Sequence, residues 1–145
     1  MKSRVRKALG ASFLVVLAFG ACDWFEDPAP DVIRITLEGD TRQFLVITST
    51  EFFATSDEQG DLTAEVFASD TIRGPLPFDR NWNIKEEQRF YMFAVPADST
   101  TVTVRVQVFL DDDQAVDNTV QAGPGNPILY MYLFNQHVLQ DFELL

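Results

Sequence analysis

Hydrolytic chemistry near neutral pH draws on histidine, cysteine or paired carboxylates, and this chain is unevenly supplied with them. It holds one histidine, His137, and one cysteine, Cys22, against 22 aspartates and glutamates. His137 stands between Gln136 and Val138, and no Gly-x-Ser-x-Gly turn offers it a nucleophile. Zinc sites usually take several His or Cys ligands, which are missing. Two carboxylates about 5 to 9 Å apart can hydrolyse a glycosidic bond, but among 22 acids such a pair arises by chance and singles out no residue. The expectation is therefore a protein that is not an enzyme, with no catalytic residue assigned. The densest acidic cluster, Asp111, Asp112 and Asp113 with Asp117 close behind, is a candidate calcium site, because calcium takes six to eight oxygen ligands. It lacks the Asp-x-Asp-x-Asp-Gly spacing of a helix-loop-helix calcium loop. Its alternative is a hairpin turn whose aspartates accept backbone hydrogen bonds. Asp57, Glu58 and Asp61 form a second acidic loop of the same kind.

Cys22 has a different setting. Lys2, Arg4, Arg6 and Lys7 precede an apolar run from Ala8 to Ala21, and Gly20 and Ala21 stand directly before Cys22. Basic, apolar and small residues in that order are the layout of a secretory signal. The run stops at Cys22-Asp23, short of the roughly 20 apolar residues that a bilayer-spanning helix needs. Phe19-Gly20-Ala21-Cys22 resembles the lipobox of bacterial lipoproteins, with Phe19 where that family more often has an aliphatic residue. The resemblance covers only the N-terminus. It implies cleavage before Cys22, a thioether-linked diacylglycerol on that cysteine, and anchorage on the outside of a bacterial membrane. Asp23 alone resembles an inner-membrane retention signal of enteric bacteria. Asp23 with Glu26 and Asp27 resembles the acidic export signal of Bacteroidota lipoproteins, which favours the outer membrane.

Removing residues 1–21 takes away four of the eleven lysines and arginines and none of the acids, leaving seven against 22 and a net charge of −15. That balance excludes a phosphate-binding footprint for nucleic acid and an electrostatic hold on anionic lipid. Any membrane contact must come through the lipid. Residues 22–31, CDWFEDPAPD, read as a proline-stiffened tether reaching about 30 Å. Residues 32–145 suit one domain.

From Val32 onward the apolar residues repeat with period two. The pattern is clearest from Thr101 to Leu110, where Val102, Val104, Val106 and Val108 alternate with Thr101, Thr103, Arg105 and Gln107. Comparable runs at 32–38, 44–53, 63–68, 88–95, 115–122 and 128–134 make about seven strands. The expected fold is all-β, an antiparallel sandwich of immunoglobulin-like or transthyretin-like type. The tail 136–145 fits either a last strand or a short helix.

Two regions of this frame are candidate partner surfaces. Ser69 to Glu87 reads as the longest connection, and long loops are often functional. It carries Phe78, Arg80 and Trp82, residue types that suit a binding hot spot. Alternatively Phe78 and Trp82 fold back onto the core, or Trp82 between Asn81 and Asn83 stacks on a carbohydrate. In the strand 128–134, Leu129, Met131 and Leu133 are expected to face inward, turning Tyr130, Tyr132 and Phe134 outward. With Phe109 these would form an exposed contact patch, unless the tail or the long loop covers it. The functional expectation is a membrane-anchored binding or assembly module with an envelope protein partner. The alternatives are a carboxylate-pair enzyme and an acidic inhibitor of a basic hydrolase.

Overall fold

The computed structural model describes residues 29–40, 43–56, 62–134, 136–139 and 142–144. Cys22, most of the tether and the acidic loop 57–61 lie outside them. The strands are β1 (Val32–Gly39), β2 (Phe44–Ser56), β3 (Leu62–Gly74), β4 (Phe78–Asn83), β5 (Arg89–Pro96), β6 (Val102–Leu110), β7 (Asp113–Ala122), β8 (Ile128–Leu133), β9 (Gln136–Leu139) and β10 (Phe142–Leu144). They form a four-stranded sheet, β4-β1-β6-β7, and a six-stranded sheet, β10-β3-β2-β5-β8-β9. All neighbours are antiparallel except β10, which runs parallel to β3.

Alternation along the strands builds the space between the sheets. Ile33, Ile35 and Leu37 of β1 and Val104, Val106 and Val108 of β6 meet Phe44 and Val46 of β2, Phe90, Met92 and Ala94 of β5, and Ile128, Tyr130 and Tyr132 of β8. All are buried, which makes the molecule an all-β sandwich of two facing sheets. The region 69–87 is not one long loop. β3 continues to Gly74, and Phe78–Asn83 is an edge strand paired with β1, so Trp82 lies opposite Ile33. The tail is strand rather than helix in its described parts.

A second apolar cluster lies on the side of the six-stranded sheet that faces away from its partner. It contains Phe52, Ala64, Tyr91, Leu129 and Met131. A sheet face without a covering layer would leave these side chains in water, yet all five are buried. Topology supplies the reason. β9 occupies one edge of the sheet and β10 the other, but Leu139 and Phe142 are only three residues apart. The two edges therefore approach to about 10 Å, which curls the sheet over its own outer face and gives the second cluster an interior.

This curl corrects the expected orientation of β8. Tyr130 and Tyr132 point between the sheets and are fully buried, while Leu129 and Met131 point into the curled side. Both faces of β8 are apolar because both are covered. Burial pushes the Tyr130 phenol well above its ordinary value, with neighbouring Tyr132 adding to the shift. Neither tyrosine can offer a partner surface.

A bulge in β2 sets up the site described next. Thr48 faces Asp70, but the pairing slips so that Glu51 meets Ala68 and Phe52 meets Val66. The Ser49 hydroxyl pins the distortion by donating to the Ala68 carbonyl and accepting from the Glu51 N–H. A one-residue slip exchanges the two faces of a strand. Phe52 thus turns into the curled side against Tyr91, with ring centroids 6.0 Å apart. Phe53 is left outside.

Candidate functional site: an exposed phenylalanine groove

β2 and β3 are each 13 residues long, whereas β1 has eight and β6 nine. β2 pairs with β5 only as far as Ser49, so its second half is paired with β3 alone and the two form a protruding arm. On that arm Phe53 and Phe67 are 60% and 65% exposed. Phe134, just after β8, is 61% exposed and completes the set of exposed large hydrophobic residues among the described ones. The three line one cavity of about 470 Å³ together with Thr50, Glu51, Glu86, Glu87 and Arg89. Isolated exposed apolar residues are ordinary; three phenylalanines around one concavity make this the candidate site.

Phe134 has φ 45°; Leu133 pairs with Gln136, so Phe134 is the first loop residue of the tight β8–β9 hairpin, where the favoured two-residue turns require a left-handed backbone. Its N–H donates to the Gln88 carbonyl at 3.0 Å, and Gln88 is itself left-handed at φ 51°. The Arg89 guanidinium lies 5.8 Å from the Phe134 ring centroid and donates from Nη1 to the Phe52 carbonyl at 3.2 Å. Arg89 thereby ties the overhanging arm to the body of the sandwich.

The incoming chain arrives at the same end. The Asp31 and Val32 N–H groups each donate to Asp111 Oδ1 at 3.0 Å, and the Ile84 N–H donates to the Asp31 carbonyl at 2.8 Å. Lys85 Nζ pairs with Asp31 at 3.1 Å, and Gln88 Nε2 donates to the Pro30 carbonyl at 3.4 Å. Residues 84–89 therefore hold the tether's end on one side and wall the phenylalanine groove on the other.

The acidic cluster is distributed among other duties. Asp111 accepts the two backbone N–H groups just named from a left-handed turn position, φ 53°. Asp117 takes a two-point contact from Arg105, Nε to Oδ1 at 2.8 Å and Nη2 to Oδ2 at 2.7 Å. Asp112 in the β6–β7 turn and Asp113 at the start of β7 are exposed. Among the described residues no group of three or more His, Cys, Asp or Glu side chains is placed to hold a metal ion. The Arg105 hydrogen bonds hold the Asp117 carboxyl below the ordinary carboxylate range. A depressed folded-state value stabilises the fold at pH above the ordinary range, and the contribution is lost as pH falls through the lowered value. Because the pair is exposed its effect on stability is small, so the titration itself is the readout. In Arg105→Ala the Asp117 carboxyl, followed by NMR, is expected to titrate at higher pH than in the parent; an unchanged midpoint would refute the pairing.

Phe78 and Trp82 are half-buried and packed on the core. The Trp82 ring lies 4.9 Å from that of Phe90 and 6.2 Å from that of Phe78, centroid to centroid. Their apolar surface is used within the fold, while Arg80 is exposed on the same edge strand. Asn81 faces a separate cavity of about 490 Å³ with Arg34, Phe109, Asp111 and Asp112. There Arg34 is engaged twice, in a two-point contact with Asp79 and by lying 5.8 Å from the Phe109 ring centroid. The expected Phe109–Tyr130–Tyr132–Phe134 patch does not form, and Phe134 instead joins Phe53 and Phe67. Sequence reading missed those two because an unbroken alternation through Phe53 hides the bulge. The adjacent Phe52-Phe53 pair was the available signal, since neighbours on a strand point to opposite faces.

Fold and groove together define a two-sheet, all-β protein with an apolar surface at one end. Comparison with known protein families, with curated proteins and with solved structures finds no match to this chain.

Proposed function

We propose that this protein is a lipid-anchored, non-catalytic binding module of the bacterial cell envelope, attached to the outer membrane through diacylglycerol on Cys22. It engages an envelope protein through Phe53, Phe67 and Phe134. The carrying observation is the gathering of these three exposed rings around one groove, at the end where the tether enters.

A photo-reactive phenylalanine placed at position 53 of the lipidated protein tests this reading in the native envelope. A discrete protein adduct is expected, reduced at least about tenfold by the added pair F67S/F134S, as for loss of central apolar anchors. Equal labelling from a probe at Asp98, in the exposed connection at the opposite end, would mean that the groove is no docking surface.

A further inference from the structure

We infer that the occupant of the phenylalanine groove is a protein segment whose apolar side chains are flanked by lysine or arginine. The inference rests on the binding reading above and specifies the partner's chemistry. Glu51, Glu86 and Glu87 line the same groove as the three rings. None of the three is ion-paired among the described residues. The cation in the lining, Arg89, donates to the Phe52 carbonyl and lies by the Phe134 ring but keeps its charge. Three glutamates against one arginine leave the lining at −2, on a mature chain of net charge −15 (seven Lys and Arg against 22 acids).

That charge separates the possible occupants. A second copy of this chain brings the same glutamates to the contact and is repelled. An anionic lipid surface is repelled likewise, and a neutral bilayer strips water from three carboxylates without supplying a counter-charge. A basic-flanked apolar segment covers the rings and pairs the glutamates at the rim, the usual layout of an apolar centre with a polar border.

The test uses the lipidated protein in neutral dodecyl-maltoside micelles, with fluorescein-labelled peptides alternating leucine with lysine or leucine with glutamate, and empty micelles as the blank. The leucine-lysine peptide is expected to bind. Its affinity should fall at least about tenfold in F53S/F67S/F134S, in E51Q/E86Q/E87Q, and when salt is raised from about 50 to about 500 mM. The remote set D40N/D70N/D98N should change it by less than about twofold. All variants are checked for unchanged melting temperature, and their substitutions are on the surface. Equal weakening by the remote set, equal binding of the leucine-glutamate peptide, or displacement by neutral phosphatidylcholine vesicles overturns the inference. Envelope crosslinks that depend on the phenylalanines but not on the glutamates overturn the charge rule and leave the binding reading standing. Crosslinks that depend on neither remove that reading itself.

Discussion

Tyr132→Ala is expected to lower the free energy of unfolding by about 3–5 kcal/mol, while Phe134→Ala, two residues along the chain, lowers it by about 1 kcal/mol or less. Tyr132 is fully buried between the sheets, paired in register with Phe90, and its removal leaves a cavity lined by neighbours that the β-ladder holds apart. Phe134 is 61% exposed, so truncation removes little buried area. What is lost there is the ring's contact with Arg89, an interaction of about 0.5–1 kcal/mol at an exposed site. Urea titration followed by circular dichroism measures both. Equal costs, or a larger cost at Phe134, would reinstate the arrangement with the tyrosines outward. The comparison thus tests the orientation of β8, with Tyr130 and Tyr132 between the sheets and Leu129 and Met131 on the curled side.

The elements that were legible in the sequence are those with one wet face. In β6 the valines alternate with Thr103, Arg105 and Gln107, and Val104, Val106 and Val108 are buried as that pattern requires. β1 reads the same way through Ile33, Ile35 and Leu37. β8 carries no such contrast, because ILYMYL is apolar on both sides and its period has no phase. Its orientation is decided by the distant closure through β9 and β10, a long-range effect that no local window contains. β4 was hidden for the opposite reason. FDRNWN offers two inward aromatics among polar residues, a weak alternation typical of an edge strand between the turns that flank it.

The site was less legible than the fold, and the reasons are geometric. Asp111 looked like a metal ligand because carboxylates also suit calcium, but in a turn beside an incoming strand the same oxygen accepts two backbone N–H groups. Phe53 looked like one more strand residue because alternation was continued through Ser49-Thr50-Glu51, where the bulge exchanges the faces. Phe67 falls at the corresponding slip on β3, between Val66, which meets Phe52, and Ala68, which meets Glu51. Neither phenylalanine is marked by composition. Both are marked by the pairing, which leaves the arm of β2 and β3 without β5 beyond Ser49.

Replacing Cys22 by alanine is expected to move the protein from the membrane pellet to the soluble fraction, the largest change that any single substitution in this chain should produce in its location. The proposed diacylglycerol contributes about 0.8 kcal/mol for each buried methylene, so two or three acyl chains hold the protein without a spanning segment. Charge does not replace that hold, because seven basic residues against 22 acids after residue 21 give no electrostatic attraction to anionic lipid. Fractionation with a carbonate wash is the measurement, and a Cys22→Ala protein that still pelleted would refute lipid anchoring. F67S/F134S, with the photo-reactive phenylalanine at position 53, should do the reverse, leaving the protein in the pellet while reducing the position-specific crosslinks at least about tenfold. The two variants separate address from recognition, since the proposed address depends on one sulfur atom, that of Cys22, and the proposed recognition on three rings at one end of the sandwich. If F67S/F134S also released the protein from membranes, the rings would be holding lipid, and the acidic groove would have to be understood as a membrane contact.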